Sequence, residues 1–149
     1  MKTNSNTLNF GIYSFVGIAS FFLIMKLFGL EEYAGLRIFN IFIIVYFTNR
    51  LARKNIQDQS DIGYLEALAS LFLANFLALV LSIGGFVFYV KIIDPEFLST
   101  FIGGILWLSS KLTLFEIVAS LFLEGMAGAI MISFISMQYW QDAKVSAKS

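Results

Sequence analysis

The sequence predicts an all-α protein, a four-helix transmembrane bundle with a short interfacial or re-entrant helix between its third and fourth spans. Of the 149 residues, 58% are hydrophobic, against roughly 45 to 50% in soluble proteins, so polar groups cannot cover the apolar surface. The apolar runs are long and lack the alternation of barrel strands, which favours helices. We therefore interpret residues 1–149 as one integral membrane domain.

Four apolar runs are long enough to cross, or nearly cross, a hydrocarbon core of about 30 Å. The predicted spans cover residues 8–30, 33–51, 62–93 and 112–140. The first follows Lys2 as the apolar part of a signal peptide would. Its run is too long for that role and lacks a small-x-small cleavage site, so we expect an uncleaved span.

The stretch between the third and fourth spans contains a helix-start signature. Asp94 supplies a capping side chain, Pro95 has a backbone angle already suited to a helix, and Glu96 lies near the positive helix end. The apolar run that follows is too short to span. We expect a helix over about 95–108 that lies at the outer membrane surface or dips partly into it.

Positively charged residues predict the orientation. They cluster after the second span and in the C-terminal tail, whereas those on the opposite side are scattered singly. The clustered residues are Arg50, Arg53, Lys54, Lys144 and Lys148. The positive-inside rule then predicts a multi-pass protein of the bacterial inner (cytoplasmic) membrane with both termini in the cytoplasm.

A short block recurs in the last two predicted spans: "EALASLFLAN" at 66–75 and "EIVASLFLEG" at 116–125. In a helix, steps of four through each block give rows of small residues. Such rows allow helices to approach closely in lipid, where no hydrophobic force brings them together. The candidate packing residues are Ser70, Ala74, Ala78, Ser82, Ser120, Gly125, Gly128 and Ala129. An ancestral duplication is the alternative explanation, but the shared run "ASLFL" is too short to establish it.

Two glutamates of the fourth span have different expected roles. Thr113 and Glu116 have the spacing of a capping box, in which each side chain satisfies a free amide at the helix start. Glu124 lies twelve residues beyond Leu112, about 18 Å into a core of about 30 Å. A charge there costs about 2.5 to 3.5 kcal/mol. It is therefore expected to be a protonated or hydrogen-bonded structural acid, or a functional acid.

Charged and amide side chains of several helices are candidates for one internal polar cluster. The predicted members are Glu124, Glu116, Lys26, Arg37, Asn40 and Asn75. An alternative holds for the two cations: Lys26 and Arg37 extend to the outer interface beside Glu31 and Glu32.

Several functions are excluded by composition. The ten basic and ten acidic residues balance, which leaves no electrostatic case for nucleic acid. Cysteine and histidine are both missing from the sequence, which removes disulfides, thiol and imidazole catalysis, and haem or zinc ligation by those residues. No phosphate loop or catalytic constellation is visible. We expect neither an enzyme nor a bound cofactor.

The order of the spans, the short basic loop and two motifs carry a resemblance. The motifs are "GYLEAL" at the entry to the third span and "YVKIIDPEFL" at its exit. With these features the chain resembles a family of small, uncharacterised four-span bacterial inner-membrane proteins, known as a domain of unknown function. The segment after "DPEFL" is apolar here, where the family usually carries a long charged helix. The resemblance implies the fold and no catalytic residue.

Two functions follow as hypotheses. The first is a non-enzymatic structural or accessory subunit in the lipid bilayer, whose small-residue helix faces on the third and fourth spans bind copies of itself or a larger membrane protein complex. The second is a small oligomeric proton or cation carrier or channel that uses Glu124.

Overall fold

The computed structural model describes residues 5–30, 36, 38–58, 63–98 and 113–146, without the side chains of 56–58 and 141–146. These described residues form four long α-helices and include no β-strand. The helices are α1 (Ser5–Leu27), α2 (Phe39–Asp58), α3 (Tyr64–Phe88) and α4 (Leu114–Ser146). A π-helical turn, Tyr89–Ile93, continues α3. The all-α prediction is confirmed.

Three of these helices are long and apolar enough to cross a membrane: Ser5–Leu27, Tyr64–Ile93 and Leu114–Trp140. They correspond to the first, third and fourth predicted spans. In α2, an apolar stretch of about ten residues, roughly 15 Å long, is followed by Arg50, Arg53 and Lys54. The helix begins at Phe39 and passes the predicted end at residue 51. The four-span count stays a prediction.

The C-terminus of α1 ends in a Schellman motif. Gly29 has a φ of 65°, its amide donates to the Lys26 carbonyl at 3.0 Å, and the Leu30 amide donates to the Met25 carbonyl at 2.9 Å. Glycine is favoured at such a position because a left-handed backbone there is strained for other residues. The chain therefore leaves the helix three residues after Lys26, which fixes Lys26 at the end of α1.

The chain runs up, down, up and down through the bundle. The start of α1, the end of α2, the start of α3 and the end of α4 meet at one end, since Thr7 contacts Ser70 and Trp140 contacts Asn49. α3 packs most extensively on α1 and on α4, while α2 contacts all three other helices. We call the end where Thr7 contacts Ser70 the polar end, and the opposite end, at Lys26, the clasp end.

Buried apolar residues form one cluster near each end. At the polar end, small residues of α2 and α3 surround Leu51 and Leu71, both fully buried. At the clasp end, Tyr89, Val90 and Phe97 pack together. Large apolar side chains of α1 and α4 are exposed along most of both helices. Together with the three long apolar helices, this surface is that of a membrane protein.

The predicted interfacial helix is described only at its start. Asp94 Oδ1 accepts a hydrogen bond from the Phe97 amide at 3.1 Å, as an N-cap residue does, and Phe97 and Leu98 are helical. The predicted cap at Asp94 is confirmed. The rest of the predicted helix, 99–108, lies outside the described residues.

Candidate functional site

The N-terminus of α4 forms the predicted capping box. Glu116 Oε2 accepts hydrogen bonds from the Thr113 amide at 2.7 Å and the Thr113 hydroxyl at 2.8 Å. In return the Glu116 amide donates to Thr113 Oγ1 at 3.3 Å. Both partners satisfy amides that have no acceptor inside the helix. Glu116 is thus a capping residue at the helix start, as the spacing predicted, and it does not join an internal polar cluster.

One row of small residues on α4 packs against α3, and we call it the inward row: Gly125, Ala129 and Ser133. A Cβ added at Gly125 would collide with the Leu79 side chain. Ala129 and Ser133 are both buried, and Ser133 is among the most completely buried side chains. The row brings α4 close to α3, which is the role that small residues have in lipid.

The neighbouring row of α4, which we call the outward row, consists of Ser120, Glu124 and Gly128. Ser120 and Glu124 are exposed, and a Cβ added at Gly128 would meet nothing within 4 Å. The Ser120 hydroxyl donates to the Glu116 carbonyl of its own helix at 2.9 Å. Among the described residues, Glu124 forms neither an ion pair nor a hydrogen bond. Within the described ranges, the outward row is therefore a polar face that is exposed at Ser120 and Glu124 and has open space beside Gly128.

The small-residue row of α3 is turned toward α1. Ala74 and Ala78 are buried, and a Cβ added at Gly11 of α1 would lie 2.9 Å from the Ala74 carbonyl oxygen. The backbones of α1 and α3 therefore touch at this point. Ala74 and Ala78 therefore pack inside the bundle, and the expectation that the α3 row binds other copies stays a prediction.

A hydrogen-bonded group lies next to this contact at the polar end. The Thr7 and Ser70 hydroxyls are 2.8 Å apart, and Asn55 Nδ2 donates to Ser70 Oγ at 3.1 Å. Ser70 thereby ties α3 to both α1 and α2. Sequence reasoning missed Thr7 and Gly11, although their spacing in "TLNFG" is the same small-xxx-small signal used for α3 and α4.

Asn75 holds three helices together in the interior. Its Oδ1 accepts a hydrogen bond from Thr48 Oγ1 at 2.8 Å, and its Nδ2 donates to Ser133 Oγ at 2.9 Å. Thr48 and Ser133 also lie within hydrogen-bond distance of the Ile44 and Ala129 carbonyls of their own helices. A hydroxyl has one hydrogen, so Thr48 can donate to only one of its two acceptors at a time. The sequence signal available for Thr48 was its short polar side chain directly after the apolar run "IIVYF".

Lys26 pairs with an acid that the predicted cluster did not include. Its Nζ lies 2.7 Å from Asp94 Oδ2 and 4.6 Å from the Tyr89 ring centroid. The rings of Phe22, Tyr89 and Phe97 meet edge to face beside the pair, with centroids 5.1 to 5.5 Å apart. The hydrogen bond from Lys26 lowers the pKa of Asp94 below its ordinary value. We call this group the clasp.

The described members of the predicted polar cluster lie in separate places. Lys26 is in the clasp, Glu116 caps α4, Asn75 joins the polar groups of the interior, and Glu124 faces outward. The Asn40 Oδ1 and Ser82 Oγ atoms are buried and without a hydrogen-bond partner within the described ranges. Arg37 lies outside the described residues. Since Lys26 and Glu116 each have a local partner and Glu124 faces outward, these three described charged members do not meet in one cluster.

Within the described ranges, no group of three or more acidic side chains lies close enough together to hold a metal ion. No protein-family model, curated protein or solved structure shows significant similarity to this chain. The resemblance to a family of four-span inner-membrane proteins therefore stays a prediction.

Proposed function

We propose that this chain is a non-enzymatic integral protein of the inner membrane, a member of the four-span type it resembles, which assembles with copies of itself through the outward row of α4. Both termini lie on the cytoplasmic side in this proposal, as the clustered cations indicate. One observation carries the proposal: two adjacent rows of small residues lie on α4, and among the described residues the inward row packs on α3 while the outward row is left open.

The position of Glu124 supplies the reason for assembly. It lies about ten residues into α4, roughly 15 Å along a helix that crosses a core of about 30 Å. Its side chain is exposed there, where contact with lipid is costly for a polar or charged group. A neighbouring helix that supplies hydrogen bonds removes this cost.

A second copy fits the outward row. Two copies of α4 related by a twofold axis along the membrane normal place identical residues at identical depth. Gly128 then permits close backbone approach, and the Glu124 side chain of one copy, which leans toward the N-terminus of its helix, extends toward the Ser120 hydroxyl of the other, about 6 Å away along the axis. Small residues and interhelical hydrogen bonds of this kind hold membrane helices together.

Cysteine cross-linking tests this arrangement directly, because the chain contains no cysteine of its own. In native membranes, Ser120→Cys is expected to give an oxidised dimer of the chain. Ser20→Cys is the matched control, since Ser20 is exposed on α1, far along the chain from the outward row. Equal cross-linking of both variants, or none from Ser120→Cys, would contradict the proposal. Cross-linking to a different protein would make the chain an accessory subunit of a larger complex instead.

The same exposed acid favours a second candidate function. In an oligomer, Glu124 residues of several copies would line a shared path and take up and release protons or cations. Reconstituted wild-type protein would then show ion flux, and Glu124→Gln, which keeps the shape of the side chain, would abolish it. Equal flux from both proteins would exclude this role for Glu124.

A further inference from the structure

We propose that the basic residues at the end of α2 form a binding site for anionic phospholipid headgroups. The site consists of Arg50, Arg53 and Lys54, which we call the basic turn. This inference is independent of the assembly proposed above, because it concerns a different helix and a different ligand.

The basic turn presents three positive charges on one side of the bundle. All three residues are exposed, and their spacing of three and four places them near one another on the surface of α2. The ion pair found among the described residues, between Lys26 and Asp94, lies at the clasp end. Glu66 is exposed at the start of α3, at the same end as the basic turn, and forms no ion pair with it.

The depth of the basic turn matches that of lipid headgroups. It directly follows the apolar part of α2, so it lies where the hydrocarbon core ends. Aromatic residues that favour the membrane interface lie beside it: Trp140 Nε1 donates to Asn49 Oδ1 at 3.1 Å, and the Arg50 guanidinium lies 5.5 Å from the Tyr46 ring centroid. Such aromatic residues are typical of the headgroup level.

The cations retain donors for a phosphate group. Lys54 Nζ donates to Asn6 Oδ1 at 3.0 Å, which directs the ammonium group toward α1 and leaves further N–H groups for other acceptors. Arg50 and Arg53 each carry a planar fork of donors that suits phosphate oxygens. A phosphodiester with a net negative charge, as in phosphatidylglycerol, therefore fits this site, whereas zwitterionic phosphatidylcholine gains no net charge attraction.

Native mass spectrometry of the full chain tests the site. Wild-type protein is purified in detergent and mixed with equal amounts of phosphatidylglycerol and phosphatidylcholine. We expect a preference for phosphatidylglycerol of about tenfold or more, since each cation near an anionic surface contributes about fivefold in affinity. The triple variant Arg50→Gln, Arg53→Gln, Lys54→Gln should bind the two lipids about equally.

Three controls separate charge from structure. Lys91→Gln, which removes an exposed cation at the clasp end, should keep the wild-type preference. The double variant Arg50→Lys, Arg53→Lys should keep most of it, because the charges remain. If the triple variant does not fold, as judged by circular dichroism, the single variant Arg53→Gln should still lower the preference about fivefold.

Three results would overturn the proposal. The first is equal binding of the two lipids by wild-type protein, and the second is an unchanged preference in the glutamine variants. The third is displacement of bound phosphatidylglycerol by millimolar inorganic phosphate, which would identify a free anion, and not the lipid, as the ligand.

Discussion

The two rows of α4 have similar compositions and opposite surroundings. Each contains a glycine and a serine spaced for close helix packing, yet the inward row touches α3 while the outward row faces away from the bundle. In lipid, small residues have no intrinsic preference for the interior, since the lipid tails are as apolar as the protein interior and burial gains no hydrophobic free energy. Composition therefore marks both rows as potential helix contacts, and the arrangement of the neighbouring helices decides which one is used.

The largest expected difference between the two rows comes from replacing the glycine of each row with leucine. Gly125→Leu is expected to lower the free energy of unfolding by about 1 to 3 kcal/mol, because the added side chain overpacks the contact with Leu79. Gly128→Leu is the matched control and should leave the unfolding of the single chain unchanged, since the space there is open. Detergent unfolding of both variants, followed by tryptophan fluorescence, measures the difference.

The same pair distinguishes folding from assembly. Gly128→Leu should nevertheless reduce the cross-linking of Ser120→Cys, because the outward row can no longer approach a second copy. If Gly128→Leu destabilised the single chain as strongly as Gly125→Leu, the assignment of the two rows to different partners would be wrong.

The two hydrogen bonds of Asn75, one of which reaches Ser133 of the inward row, should contribute less to the free energy of unfolding than the packing at Gly125. Asn75→Leu removes two bonds between helices, but Thr48 and Ser133 keep the carbonyls of their own helices as acceptors. At about 0.6 kcal/mol for each such bond in a membrane protein, the expected loss is about 1 kcal/mol. Ser120→Ala in the outward row should change the unfolding free energy by much less, since that hydroxyl contacts only its own helix. A loss from Asn75→Leu that exceeded the loss from Gly125→Leu would reverse the proposed order.

The smallest expected effect is a change of stability with pH, and it comes from Asp94, which is paired with Lys26 of its own chain. The pKa of Asp94 is lowered from 3.8, first by the hydrogen bond from Lys26 and against a smaller opposing effect of burial. The resulting stabilisation is therefore present above pH 3.8 and is lost as the pH falls through the lowered pKa. Between pH 7 and 5 this pair should contribute no pH dependence.

Comparison with Asp94→Asn isolates this contribution from the other acids. Thermal unfolding of the two proteins should differ at neutral pH, and the difference should shrink as the pH falls below 3.8 and Asp94 of the folded protein gains a proton. A difference that does not shrink at all below pH 3.8 would show that the clasp is held by packing of the aromatic rings and not by the charge pair.

Much of the fold could be predicted from local signals. Asp94 and Thr113 were predicted as helix caps from spacing alone, because capping depends on atoms within one turn. Glu116 was correctly assigned a structural role for the same reason. The candidate site was less accessible: the pairing of Lys26 with Asp94 was not predicted, since Asp94 lies 68 residues away along the chain and the sequence does not show which helix faces meet.

By itself the sequence determined the helical class, the three long apolar helices and the helix caps, all of which follow from composition and from contacts within a few residues. Only the tertiary structure decided that the α3 row packs on α1, that the inward row of α4 packs on α3, and that Glu124 faces outward. The physical reason is that in lipid every face of an apolar helix has nearly the same solvation free energy. Rotation of each helix about its axis is then set by shape and hydrogen bonds with distant parts of the chain, and these become defined only when the helices meet.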